Sequence, residues 1–326
     1  MMGMRRAKVH EVIQAGLMKQ WLQLRPGTET LFDPGNPFYF KVLEDNLTEP
    51  MNDRVRRCYE NGFGNERGKK MRALHSSSAM AFNLFGNGLV HIKPNTYALT
   101  PGLYPVEYEK QLHVLSPVSL AHIDVCLSCA DELLFFEMKM TEWLRDTMSR
   151  VEKSYADRKK FPDNDVYDAW HRAAQTLAAE KGDTEDLYVP KARHIDVYQA
   201  LKHILGIYRE LFYTRGLPRV KKATLILGIW TVEPSAFSSY RAFSHTKEAD
   251  SRSGADEEGR AFDAAYQAYE QTMRDEFAAF HAAAEEMIRL FAALGIEFDV
   301  RLLTVREILS CLEKAPAEMV QLRRYL

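Results

Sequence analysis

Two neighbouring apolar runs that carry charges inside them constrain this chain more than any other feature. Residues 121–128 read Ala121-His122-Ile123-Asp124-Val125-Cys126-Leu127-Ser128, and residues 133–140 read Leu133-Leu134-Phe135-Phe136-Glu137-Met138-Lys139-Met140. The polar turn Ala130-Asp131-Glu132 separates them, so both read as strands of one hairpin. Side chains alternate across a strand, which puts Glu137 and Lys139 on one face about 7 Å apart and sends Met138 into the opposite layer. The partner strand brings Asp124 beside them. Burying two carboxylates and one ammonium is costly unless they pair, or unless a divalent cation neutralises the acids. Magnesium takes oxygen ligands and keeps several waters, so Asp124, Glu137 and the Met138 carbonyl are the expected ligands of Mg2+, with Mn2+ as a substitute. Read alone, Glu137-Met138-Lys139 is equally a strand ion pair, with Asp124 capping a turn. The hairpin spacing and the apolar framing favour chemistry.

The surroundings alternate between helices and strands. Val9, Val12, Ile13, Leu17, Trp21 and Leu24 recur at helical spacing over residues 8–24, and Pro26-Gly27 ends that helix. A loop-rich stretch leads to a short helix over 54–60. Ser76-Ser77-Ser78 offers hydroxyl caps to a helix carrying Met80, Phe82, Leu84 and Phe85, which Gly86-Asn87-Gly88 closes. A strand over 106–115 precedes the hairpin. Residues 141–192 read as a largely helical insertion, a helix spans 194–214, and Pro218 separates it from an apolar strand over 223–230. A charged linker over 247–259 precedes a long helix over 260–294, a strand over 297–303 and a last helix over 306–314. The expected fold is α/β, one decorated domain: an N-terminal extension over 1–74, a core over 75–232, and a C-terminal linker with a helix-strand-helix extension over 233–326.

With 46% hydrophobic and 27% charged residues, the composition is that of a soluble globular chain. The net charge of −2 conceals a basic segment. Residues 51–75 hold seven basic side chains (Arg54, Arg56, Arg57, Arg67, Lys69, Lys70, Arg72) against Asp53, Glu60 and Glu66, a surface suited to phosphate contacts or simply to solvent. The region from Thr246 onward leans acidic. Four cysteines point to free thiols in a reducing cytoplasm. His10, Glu11, Gln14, Lys19 and Gln20 interrupt the N-terminal apolar positions, so neither a secretory core nor a membrane span is expected there.

Three other signals are weak. Cys126-Leu127-Ser128-Cys129 has knuckle spacing, but no second pair follows and an offset of three sends the thiols to opposite strand faces. Residues 62–70 lack both the spacing and the Ser or Thr of a phosphate-binding loop. The ten histidines include no His-x-x-x-His, so a zinc hydrolase is not expected, and His122 and His203 read as packed or surface residues.

The order helix, three strands, helix, strand over about 75–230, with Asp124 and Glu137-Met138-Lys139 at these positions, resembles the PD-(D/E)XK nuclease superfamily, the restriction-endonuclease-like fold. Ile123 stands where the family signature often has proline. A branch of restriction endonucleases within it is similar in further detail: a helix reading Ser76-Ser77-Ser78-Ala79-Met80-Ala81-Phe82-Asn83-Leu84-Phe85-Gly86, then Glu107-Tyr108-Glu109, Ile123-Asp124-Val125 and Glu137-Met138-Lys139-Met140-Thr141-Glu142. The resemblance implies a metal-dependent nuclease acting on DNA. Asp124 and Glu137 would hold Mg2+ on the scissile phosphate, and Lys139 would orient or activate water and stabilise charge on the phosphate. Glu109 is a further candidate for the same or a second metal. Glu142 and Gln199 with Lys202 would support the site or touch substrate, and Arg67, Lys69 and Lys70 would contact the DNA backbone. A homodimer would bring two active sites to a duplex. The competing expectations are a non-catalytic DNA-binding protein on the same fold, in which Glu137 and Lys139 form a salt bridge, and a nuclease directed at RNA.

Overall fold

The computed structural model describes residues 6–61, 69–115, 119–144, 148–181, 186–214, 220–234 and 252–326. Helix α1 (Arg6–Leu24) leads into a hairpin of β1 (Phe32–Asp33) and β2 (Asn36–Phe40), then α2 (Asp53–Asn61) and α3 (Ser77–Phe85). Strands β3 (Leu89–Ile92), β4 (Gly102–Leu115), β5 (Ser119–Cys129) and β6 (Glu132–Lys139) follow as an antiparallel meander. Next come β7 (Val151–Glu152), α4 (Asn164–Thr176), β8 (Ala178–Lys181), β9 (Asp186–Pro190), α5 (Val197–Thr214) and β10 (Lys222–Ile229). The chain ends with α6 (Arg252–Leu290), β11 (Glu297–Thr304), α7 (Val305–Cys311) and α8 (Pro316–Leu322).

Six strands form one mixed sheet in the order β11-β10-β6-β5-β4-β3, with β10 parallel to both neighbours. The expected order of helix, three strands, helix, strand is present as α3, β4, β5, β6, α5, β10. The helix-strand-helix run expected as a C-terminal extension instead lays β11 along β10, so it completes the sheet edge. A near-continuous apolar run such as β10, buried at almost every position, is what a parallel strand covered on both faces requires.

Helix α3 covers one face, where Phe85 and Phe136 rings lie 4.8 Å apart. Its first turn is capped as the serine run suggests, with the Ser76 hydroxyl accepting from Ala79 N–H at 3.2 Å. Helix α5 covers the other face; a Cβ at Gly206 would lie 2.9 Å from Leu112 Cβ, so glycine permits this close approach. Asp196 caps α5 by accepting from Gln199 N–H at 2.9 Å, which starts the helix three residues later than expected. On the α3 face, Gly228 sits beneath Met138 and Ile308.

Two expectations are corrected. Residues 141–192 are not largely helical: α4 is their one α-helix among the described residues, and β7, β9 and β8 form a separate three-stranded antiparallel sheet. The short alternation Asp186-Leu187-Tyr188-Val189-Pro190 carried that signal; β8 pairs with it from just before it in the chain, whereas β7 lies too far along the chain for periodicity to reveal. The expected linker also falls partly inside α6, which already begins at Arg252; residues 247–251 lie outside the described residues.

The C-terminus closes the fold onto the N-terminal elements. Arg324, buried over the Trp21 ring, donates to the Asn46 side-chain oxygen and carbonyl at 2.9 and 2.6 Å. Among the described residues no helix is long and apolar enough to cross a membrane.

Candidate active site

Strands β5 and β6 pair in register from Cys129↔Glu132 to Val125↔Phe136 and then part. Past that point Asp124 fills the gap with its side chain: Oδ2 accepts from Met138 N–H at 2.6 Å. On the other edge of β6 the pairing with β10 continues through Lys139↔Ile229, and the Lys139 carbonyl accepts from Trp230 N–H at 2.8 Å. Main-chain groups of successive residues face opposite strand edges. Met138 therefore turns both its N–H and its carbonyl toward the gap that holds Asp124.

Glu137 and Lys139 point together toward α5. Glu137 is 4% exposed, and its Oε1 lies 2.6 Å from Lys139 Nζ. Its Oε2 has no hydrogen-bond partner among the described residues; His203 Nδ1, on the buried face of α5, stands 3.7 Å away. Burial and the neighbouring Glu137 hold the Asp124 carboxyl well above the ordinary aspartate range, against the opposing pull of Lys139. Desolvation works against the charge on Lys139, but the carboxylates of Glu137, Asp124 and Glu142 outweigh it and raise its pKa. Burial lowers both His203 and His122.

Glu109 falls between the Tyr108↔Val125 and Lys110↔Ile123 pairs of the β4–β5 register, and its φ of +50° is rare outside glycine. Tyr108 packs, with tilted rings, against Tyr59 of α2 and Phe82 of α3, whereas Leu112 meets α5. Strict alternation would put these two side chains on one face, so the left-handed residue between them resets the strand. Glu109 Oε2 stands 3.8 Å from His122 Nδ1.

Glu109, His122, Asp124, Glu137, Met138 and Lys139 line a cleft of about 460 Å³ that also includes Tyr39, Lys70, His75, Ser77, Glu142 and Gln199. Glu142 is fixed there: Oε1 accepts from the Ser77 hydroxyl at 2.7 Å, and Oε2 from Met140 and Thr141 N–H at 2.6 and 2.9 Å. A second cavity of about 220 Å³ adjoins it and shares Glu137, Lys139, Glu142 and Gln199. The structure thus gathers Asp124, Glu137, Met138, Lys139, Glu109, Glu142, Gln199 and Lys70. Lys69 is exposed outside the cleft lining, and Lys202 turns away, its Nζ 3.4 Å from the Arg150 carbonyl and 5.5 Å from the Tyr155 ring centre. Arg67 lies outside the described residues. The sequence reading took His203 as a packed or surface residue; it is buried on α5 beside Glu137, and its spacing of four from Gln199 on one helix face was the available signal of that neighbourhood.

A family model described as Restriction Endonuclease associating with ARP matches residues 25–227. The chain belongs to the REase-ARP family. The match covers α3 through most of β10 and includes every charged residue of the cleft described above. No curated protein and no solved structure matches the chain. Membership in a restriction endonuclease family makes a DNA nuclease the activity this cleft has to be judged against.

The groups at the gap that could hold a metal are hard oxygen: the carboxylates of Asp124 and Glu137 and the main-chain carbonyl of Met138. No group of three or more His, Cys, Asp or Glu side chains in ligating reach occurs among the described residues. Magnesium does not demand one, since it is commonly held by one or two carboxylates together with substrate phosphate and water. The unpartnered Glu137 Oε2 and the disfavoured charge on Asp124 both fit a cation between them.

Proposed function

We propose that the protein hydrolyses phosphodiester bonds in DNA, with Asp124, Glu137 and the Met138 carbonyl holding Mg2+ and Lys139 as the catalytic cation. The observation that carries this reading is the parting of β5 and β6 at Asp124, which sets two carboxylates, a carbonyl and a lysine around one cleft. A fold gains nothing from unpairing two buried strands around an aspartate whose charge it disfavours. A bound cation would polarise the phosphoryl oxygens and lower the pKa of its water. Glu137 Oε1 holds the Lys139 ammonium at the wall of the cleft, where it orients water and stabilises charge that builds on phosphate oxygens. The tether by Glu137 fixes that charge before substrate arrives. Glu109 faces the same cleft and is the further ligand candidate, while Lys70, which also lines it, would contact the DNA backbone. Two copies would be needed to cut both strands of a duplex at once.

The test is cleavage of plasmid, linear DNA and matched RNA with Mg2+, Mn2+ or EDTA. Metal-dependent cutting of DNA is expected. Cutting of RNA alone would reassign the substrate, and DNA retained on a gel shift without cutting would make the protein a binding module.

A further inference from the structure

The smaller cavity lies at the carboxyl ends of the parallel strands β6 and β10, under the first turn of α5, where α/β sheets commonly seat ligands. Leu227 and Ile229 form its floor, and Trp143, Ile195 and Ala200 enclose it, all of them buried. Most polar groups on its wall are already engaged. Trp143 Nε1 donates to the Met140 and Trp230 carbonyls, each at 3.1 Å. Asp196 accepts from Ser149 and Gln199, and Glu142 from Ser77 and two backbone N–H groups. Among the described residues the Gln199 carboxamide makes no hydrogen bond, and it borders both this cavity and the cleft.

Resting on the nuclease reading, we infer that this cavity receives an unstacked nucleobase from the nucleotide beside the scissile phosphate. A phosphodiester seated against Lys139 lies on the wall common to both spaces, so a flanking base is the part of the substrate within reach. Phosphate and sugar gain nothing from an apolar floor. A base brings two apolar faces and one polar edge, and a carboxamide offers that edge a donor and an acceptor together. Extruding a base costs least where it is mismatched or single-stranded. The preferred substrate is therefore DNA with an unpaired base next to the cut.

The experiment first maps the cut on labelled oligonucleotides, then places 2-aminopurine at each nucleotide flanking it. Binding to the Lys139→Ala protein with Mg2+ should raise the fluorescence severalfold at one flanking position, as an unstacked base does. Ala200→Leu, which fills the cavity, should abolish that rise and remove the preference for mismatched over matched DNA in an otherwise wild-type protein. Gln199→Leu keeps the shape and should lose about tenfold of base discrimination at that position. Thermal melts of both variants show whether they fold, and the fluorescence test does not depend on either. Fluorescence that stays flat at both flanking positions while wild type cuts DNA overturns the base cavity alone. So does an Ala200→Leu protein that cuts matched and mismatched DNA as wild type does. A wild type that cuts no DNA with Mg2+ overturns the nuclease reading and this inference together.

Discussion

Gly228→Ala tests whether the sheet holds Met138 in the position that its bond to Asp124 requires. An added Cβ would lie 2.4 Å from Met138 Sδ, 2.9 Å from Met138 Cε and 3.0 Å from Ile308 Cδ1. Comfortable contacts begin near about 3.5 Å, so something must move by about 1 Å. Met138 and Ile308 are both fully buried, which leaves no open side into which either can turn. Overpacking of this kind costs about 1–3 kcal/mol, and alanine recovers roughly 0.5–1 kcal/mol over glycine inside a strand. The difference spans about 0–2.5 kcal/mol, and the 2.4 Å approach to a fully buried sulfur puts it in the upper half of that span, about 1–2.5 kcal/mol. The melting midpoint falls by about 2 °C per kcal/mol for a chain of this size. Circular dichroism melts should place Gly228→Ala a few degrees below wild type, with Gly88→Ala, whose Cβ meets nothing within 4 Å, unchanged. The loss should shrink in a Met138→Ala background, because the clash is shared between the two positions. Gly228→Ala melting at or above wild type would refute the packing on which the site's backbone geometry rests.

Asp124→Asn should be more stable than wild type at neutral pH in EDTA. Burial and Glu137 raise the Asp124 pKa, so the folded state holds that proton more tightly than the unfolded chain. The stability this contributes is present at low pH and lost as pH rises through the raised pKa, and the asparagine escapes the loss. The gap between the two melting midpoints should therefore close toward acid; an asparagine variant less stable at neutral pH contradicts the assignment. Glu109→Gly and Glu109→Ala both remove the carboxylate, but only glycine accepts the φ of +50° freely, so the glycine variant should be more stable by about 1 kcal/mol. Equal melts would show that the backbone relaxes. Should Glu109 hold metal, both variants also need more Mg2+ for cutting, read as the half-saturating concentration.

The hairpin was legible because its information is local. Turn residues and two apolar runs fix β5 against β6, and that alone brings Asp124 to Glu137 and Lys139. The capped helix α3 and the apolar β10 were legible for the same reason. Strand β3, four residues long, was not, since it has meaning only beside β4. Nor did the sequence show the left-handed backbone at Glu109, because nothing in a glutamate announces it. His203 reaches Glu137 only once α5 has packed across the sheet, and Lys202, one residue earlier on that helix, is turned to a different side. Spacing along one element reported faces correctly on β6, and failed on β4, where the left-handed Glu109 resets the alternation. It could not report what the crossover sets opposite them.

The most direct test of the central claim is single-turnover DNA cleavage in Mg2+ by wild type and by Lys139→Ala, with melts confirming that the variant is folded. The account predicts cutting by wild type that EDTA stops, and a fall of about 100-fold or more in the variant, the scale on which a preorganised charge acts. Equal cutting by both proteins would place the chemistry somewhere other than the cleft at Asp124, Glu137 and Lys139.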